Sequence, residues 1–159
     1  MSKIYHGSQA ISKAIQAEGP LSHPQKEVVR WEGYSEDIYL DHKGIKTRGV
    51  GQTGQFLDGT FKEAFKVLEE ECVKLIPLYY LLQPTIQAAL MVAMYRGDLQ
   101  QSPTFRLLFN TGQLEKACEE YLNHKEYLDP DTPTQIKRRL EKLPETIKVA
   151  LAYEKKLGS

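Results

Sequence analysis

Apolar positions change period twice along the chain, and three kinds of segment follow. In the first twenty residues only Ile11, Ala14 and Ile15 interrupt a polar run, at helical spacing ahead of Gly19-Pro20. A short packed segment and an unfolded arm both fit that pattern. Ser22 is suited to cap a helix beginning near Pro24, which would carry Val28, Trp31 and Glu32 on one face and stop at Gly33. From Tyr34 to Phe56 the helical period disappears, and glycines at 44, 49, 51 and 54 punctuate β-like stretches at Ile38–Leu40 and Ile45–Val50. These predict a small antiparallel sheet.

The helical period returns after the Asp58-Gly59 turn. Thr60 and Glu63 are spaced as a capping box, and Phe61, Ala64, Phe65, Leu68, Cys72, Leu75 and Ile76 follow on one face. A long amphipathic helix is predicted, perturbed near Pro77. Thr85 to Tyr95 is apolar on nearly every side and predicts a central buried helix, while Ser102-Pro103, Thr132-Pro133 and Pro144 announce further helix starts. No repeat, low-complexity tract or linker separates independent domains. The fold class is therefore α+β and predominantly helical, in one domain over 1–159. Within it lie an extension (1–20), a helix with a β lobe (21–59), a connecting helix (60–82) and a helical lobe (83–159).

Composition agrees with one such domain: 159 residues with 41% hydrophobic content can bury a substantial core. Lys and Arg total 21 against 21 Asp and Glu, so no overall field draws the chain to nucleic acid or an anionic membrane. The basic stretch Lys137, Arg138, Arg139 and Lys142 is diluted by Glu141 and Glu145 and reads as a solvated face, with contact to an anionic polymer the sharper alternative. Cys72 and Cys118 sit in helix-like apolar patterns, as buried thiols do, and no disulfide is expected. Four scattered histidines give no ligand spacing, so neither metal nor cofactor is expected. The longest apolar run, Ala88 to Met94, is too short for a bilayer and no signal-peptide core is seen, which predicts a soluble protein not exported by its own signal.

Chemistry concentrates between Trp31 and Gly51. Glu32 lies on the apolar face beside Trp31 and Val28, at a helix C-terminus where the dipole opposes an anion, with a second carboxylate to hand. Each feature favours the protonated form that a general acid needs. Asp41 and Thr47 could together position the water for hydrolysis of an acetal with inversion. That partnership depends on the hairpin. A three-residue loop with left-handed Gly44 puts Tyr39, Asp41 and Thr47 on one face, whereas a two-residue Lys43-Gly44 turn separates Asp41 from Thr47. Taken singly, each of the three residues reads better as an ordinary structural one: a helix end, a turn start and a strand residue. Gly49-Val50-Gly51-Gln52-Thr53-Gly54 has the spacing of a dinucleotide fingerprint, but no strand-to-helix junction follows it; tight strands and close backbone approach to a ligand fit better. Tyr79 and Tyr80 read as packing residues rather than a sugar platform.

Glu32-Gly33, Tyr39, Asp41, Gly44, Thr47, Gly49 and Gly51 resemble, in order and spacing, the Glu-Gly, Tyr-x-Asp, Gly and Thr-x-Gly-x-Gly pattern of phage-type lysozymes, the endolysins grouped as glycoside hydrolase family 24. The likeness runs more weakly from residue 24 to 155. It implies a two-lobed fold with the sugar chain in the cleft between lobes. It also implies cleavage of the β-1,4 bond between N-acetylmuramic acid and N-acetylglucosamine in peptidoglycan. Glu32 would be the general acid, Asp41 and Thr47 would place the attacking water, and Gln52, Thr53 and Tyr95 would meet the sugar. Two departures stand out: Gln52 where the family usually has His, and Arg96 where an amide is common.

The expected protein is a monomeric endolysin. It would be made in the bacterial cytoplasm, released to the wall by a holin-type partner, and would act on glycan strands without membrane insertion. A lytic transglycosylase on the same fold, and a virion-associated wall-binding or structural protein docked through residues 1–20, are the alternatives. Asp41 and Thr47 argue for hydrolysis over the first, and all three positions together count against the second.

Overall fold

Ser22 begins a helix because its hydroxyl oxygen accepts from the Gln25 N–H (3.2 Å) while the Gln25 amide oxygen accepts from the Ser22 N–H (2.9 Å). In the computed structural model, which describes residues 3–158, this is α2 (His23–Glu32), preceded by α1 (Gly7–Glu18). The chain divides into two units after Glu71. In the first, α1 packs on α2 with Ala10 and Ala14 buried, so the segment around Ile11, Ala14 and Ile15 is a packed helix rather than an unfolded arm. Tyr5 extends this docking by exchanging backbone hydrogen bonds with Tyr34 (2.8 and 2.9 Å).

Strand β1 (Ser35–Leu40) pairs antiparallel with β2 (Lys46–Gly49), with Tyr39 opposite Thr47 and Leu40 opposite Lys46. α3 (Phe61–Leu75) then starts under two caps: the Thr60 hydroxyl accepts from the Glu63 N–H (3.1 Å), and the Glu18 carboxylate accepts from the Phe61 and Lys62 N–H groups (2.7 and 2.9 Å). A carboxylate at a helix N-terminus meets both the unpaired donors and the positive end of the dipole. The end of α1 thereby fixes the start of α3.

α3 ends at Leu75 and does not continue to residue 82. Pro77 disfavours helical backbone at Ile76 and lacks an N–H, and Tyr79–Leu81 form a single 3₁₀ turn. The Leu75 carbonyl accepts from the Asn110 amide instead (2.9 Å).

In the second unit α4 (Pro84–Arg96) is buried from Ala88 to Met94, with α5 (Pro103–Asn110), α6 (Leu114–Leu122), the short α7 (Lys125–Leu128) and α8 (Thr134–Leu157) following it. α8 packs on both α4 and α6 through Leu140, Leu143, Ile147 and Ala150. Pro144 does not start a helix; it lies inside α8, where burial of that face on both sides outweighs the roughly 3 kcal/mol that an interior proline costs. Cys72 and Cys118 are buried thiols in this unit. Among the described residues no helix is long and apolar enough to cross a membrane.

Candidate active site

The hairpin loop decides whether Asp41 and Thr47 can act together. The Asp41 N–H donates to the Ile45 carbonyl (3.0 Å), the Gly44 N–H donates to the Asp41 carbonyl (2.9 Å), and Gly44 has φ +77°. With Tyr39 opposite Thr47, residues 42–44 form the three-residue loop, and Tyr39, Asp41 and Thr47 fall on one face.

Asp41 Oδ1 accepts from the N–H groups of Lys43 (2.8 Å) and Ile45 (2.9 Å). The Ile45 bond, helped by the Lys43 bond and the neighbouring cations, holds the Asp41 carboxyl below its ordinary range despite a smaller opposing desolvation effect. Asp41 is thus kept as an anion, with one oxygen anchoring the loop. Thr47 is 4% exposed and donates its hydroxyl proton to the Ile45 carbonyl (3.0 Å), so its oxygen faces any further partner as an acceptor.

Glu32 ends α2, half-buried, where Gly33 turns the chain at φ +81°. Gly51 comes from the other side. A side chain there would put its first carbon 3.6 Å from Glu32 Oε1, and φ +62° independently favours glycine. Tyr39 connects the two parts: burial first, then the carboxylates of Glu32 and Asp41, raise its hydroxyl above the usual phenol range. Glu32, Tyr39, Asp41, Thr47 and Gly51 are therefore gathered within the first unit. Tyr39 was legible as the alternate-position neighbour of Asp41, but nothing local to Gly51 indicated that it faces Glu32.

Gln52 lies inside the loop that follows β2. It is 4% exposed; its amide nitrogen donates to the carbonyls of Phe56 (3.0 Å) and Gly59 (2.7 Å), and its oxygen accepts from the Val50 N–H (3.2 Å). Both amide N–H groups are committed inside the loop, so the side chain organises residues 50–59. Arg48 reinforces it by donating to the carbonyls of Leu57 and Gly59 (both 2.8 Å). At Gly49 (φ +60°) any side chain would collide with Gln52 Oε1. Thr53 is half-buried in extended backbone before the 3₁₀ turn Gly54–Phe56.

Tyr95 belongs to the second unit, half-buried at the end of α4. Its neighbour Arg96 is held by Glu126, both carboxylate oxygens lying 2.6 Å from one guanidinium nitrogen, and by Asp98 (3.3 Å). Arg139 points inward and donates to the Val92 carbonyl (3.1 Å), so the basic stretch of α8 is not uniformly solvated. Tyr79 is buried as a packing residue, while Tyr80 is 61% exposed, its ring set edge-on to Tyr79 at 5.2 Å.

No family model matches the chain, and no curated protein matches it either. Among solved structures it is similar to the crystal structure of the active form of the P1 phage endolysin Lyz. The identity is 14% over 94% of this chain and 97% of that one, with a TM-score of 0.63. At that identity the likeness shows the fold: predominantly helical and lysozyme-like, with a two-stranded antiparallel sheet in one unit and a helical bundle in the other. That is the expected fold class.

Proposed function

We propose that the protein is a peptidoglycan N-acetylmuramidase of the phage-endolysin type, cleaving the β-1,4 bond between N-acetylmuramic acid and N-acetylglucosamine with inversion. One observation carries the reading: the three-residue loop that puts Asp41 and Thr47 on one hairpin face beside Tyr39, itself within electrostatic reach of Glu32. Glu32 protonates the leaving glycosidic oxygen. A water donates one hydrogen bond to Thr47 Oγ1 and one to the free oxygen of Asp41, leaving a lone pair directed at the anomeric carbon; as its oxygen bonds to that carbon and the glycosidic bond breaks, Asp41 takes its proton. The anionic Asp41 also stabilises positive charge developing on the sugar. Glu32, Asp41 and Thr47 are the proposed catalytic residues, with Thr53 and Tyr95 as sugar contacts. Release from the host cytoplasm to the wall would need a separate membrane-permeabilising partner.

The test is digestion of purified peptidoglycan with wild type and Glu32→Gln, reading product ends by mass spectrometry. Reducing muramic-acid ends that vanish in the variant are expected. Anhydro ends would instead identify a transglycosylase, and no products from either protein would leave a wall-binding module.

A further inference from the structure

The second unit holds a pocket of about 580 Å³ between the end of α4, the start of α5, the end of α6 and α7. Its size is that of a small-molecule site, but most side chains on its wall are polar or charged where such sites are mostly apolar. Three carboxylates, Asp98, Glu120 and Glu126, stand on the wall against one guanidinium, Arg96, which Glu126 and Asp98 already engage. Counting Arg139, whose charge reaches Asp98 from α8, carboxylates still outnumber guanidiniums by three to two, with the His124 imidazole also on the wall. A phosphate or other anion would therefore be repelled, and an apolar ligand would strip polar groups of water without replacing their hydrogen bonds. Among the described residues no group of His, Cys, Asp and Glu is arranged to hold a metal ion.

A second feature points to an occupant. Tyr121 is 2% exposed and lines the pocket, its ring packed on Phe105 with centroids 5.0 Å apart, yet its hydroxyl makes no hydrogen bond among the described residues. That hydroxyl opens onto the pocket with its donor and acceptor uncommitted within the protein, so a ligand group can take the place of water there. Burial also works against the charged form of Asp98, more than Arg96 and Arg139 relieve it. Glu120, by contrast, is exposed on the rim.

We propose that this pocket binds a small organic cation, a primary ammonium carried on a hydroxylated frame as in an amino sugar, with the ammonium between Asp98 and Glu120 and a hydroxyl on the Tyr121 oxygen. The ammonium supplies three donors to carboxylates in excess, and the frame's hydroxyls match the wall's neutral polar groups, Ser102 and Asn123 among them. The site lies wholly in the second unit and does not depend on the hydrolytic reading.

Titration of the ¹⁵N-labelled full chain with glucosamine, N-acetylglucosamine and glucose 6-phosphate at one pH and ionic strength tests it. These probes share a ring and differ in charge. Glucosamine should shift the amides of Thr104, Tyr121 and Asn123, N-acetylglucosamine should bind at least about tenfold more weakly, and glucose 6-phosphate should leave those amides unmoved. Tyr121→Phe keeps the ring packing and Glu120→Gln alters an exposed side chain; each should weaken glucosamine by about three- to tenfold. Glu32→Gln should bind it as wild type does, so loss of wall hydrolysis and loss of this binding are separate results. Equal affinity for the acetylated sugar, shifts confined to other residues, insensitivity to both pocket variants, or no binding of glucosamine would each overturn the proposal.

Discussion

The loop of the first unit and the pocket wall of the second solve opposite problems with buried polar groups. Around the hairpin, Asp41, Thr47, Arg48 and Gln52 all bond to backbone groups within eleven residues of themselves. Around the pocket, Arg96 reaches Glu126 thirty residues away, while the Tyr121 hydroxyl opens onto the pocket with no hydrogen bond among the described residues. Satisfying a polar group on nearby backbone makes a rigid loop that can hold a water. Pairing distant charges on separate helices leaves valences open, and open valences are where a ligand fits.

The largest expected effect lies on the hairpin side. Removing the proposed general acid with Glu32→Gln should lower peptidoglycan turnover by about 10²–10⁴-fold, with an unchanged thermal midpoint; a full loss of folding would end the contrast between a chemical and a structural role. Next comes the second unit's core. Leu90→Ala, at a fully buried α4 position, should cost about 2–5 kcal/mol in urea unfolding by cavity formation.

Gln52→Ala should cost about 1–3 kcal/mol, because it leaves the Phe56, Gly59 and Val50 backbone groups without the amide. A stability loss with intact sugar affinity would sharpen its assignment as a loop organiser; lost affinity at full stability would return it to the substrate. Glu18→Ala should cost about 0.5–2 kcal/mol through the missing cap on α3. Hydrogen exchange at Phe61 and Lys62 would locate that loss.

The smallest effects are of pH and have opposite signs in the two regions. Asp98 is shifted above the ordinary value of 3.8, so the folded state holds a proton that the unfolded chain releases. Its contribution is present below 3.8 and is lost as pH rises through the shifted value. Asp41 is shifted below 3.8, so its contribution is present above that value and lost as pH falls further. Stability measured against pH should therefore change slope in opposite directions in Asp98→Asn and Asp41→Asn. Equal changes would remove the distinction between a carboxylate short of partners and one well supplied.

Much of the first unit was legible because its determinants are close in sequence. Ser22 and Gln25 are three residues apart, Asp41 and Ile45 four, and the strand alternation that aligns Asp41 with Thr47 follows once Gly44 sets the loop. The commitment of Gln52 was less visible: its partners lie four to seven residues on, but in an irregular loop with no periodic pattern to announce them. Pro144 misled for the same reason in reverse, since its local preference is to start a helix and only packing on both sides of α8 overrides it.

The sequence by itself determined most of the elements and narrowed the hairpin to two loops, because caps, turns and alternation act over a few residues; the structure chose the three-residue loop that gathers Asp41, Thr47 and Tyr39 on one face. Tertiary structure alone decided that Glu18 caps α3, that Gly51 faces Glu32, and that Arg96 turns to Glu126 while the Tyr121 hydroxyl is left open to a pocket. Those pairings join residues separated by about nineteen to forty-four positions, where no local propensity acts and the packing of whole helices determines which side chains meet.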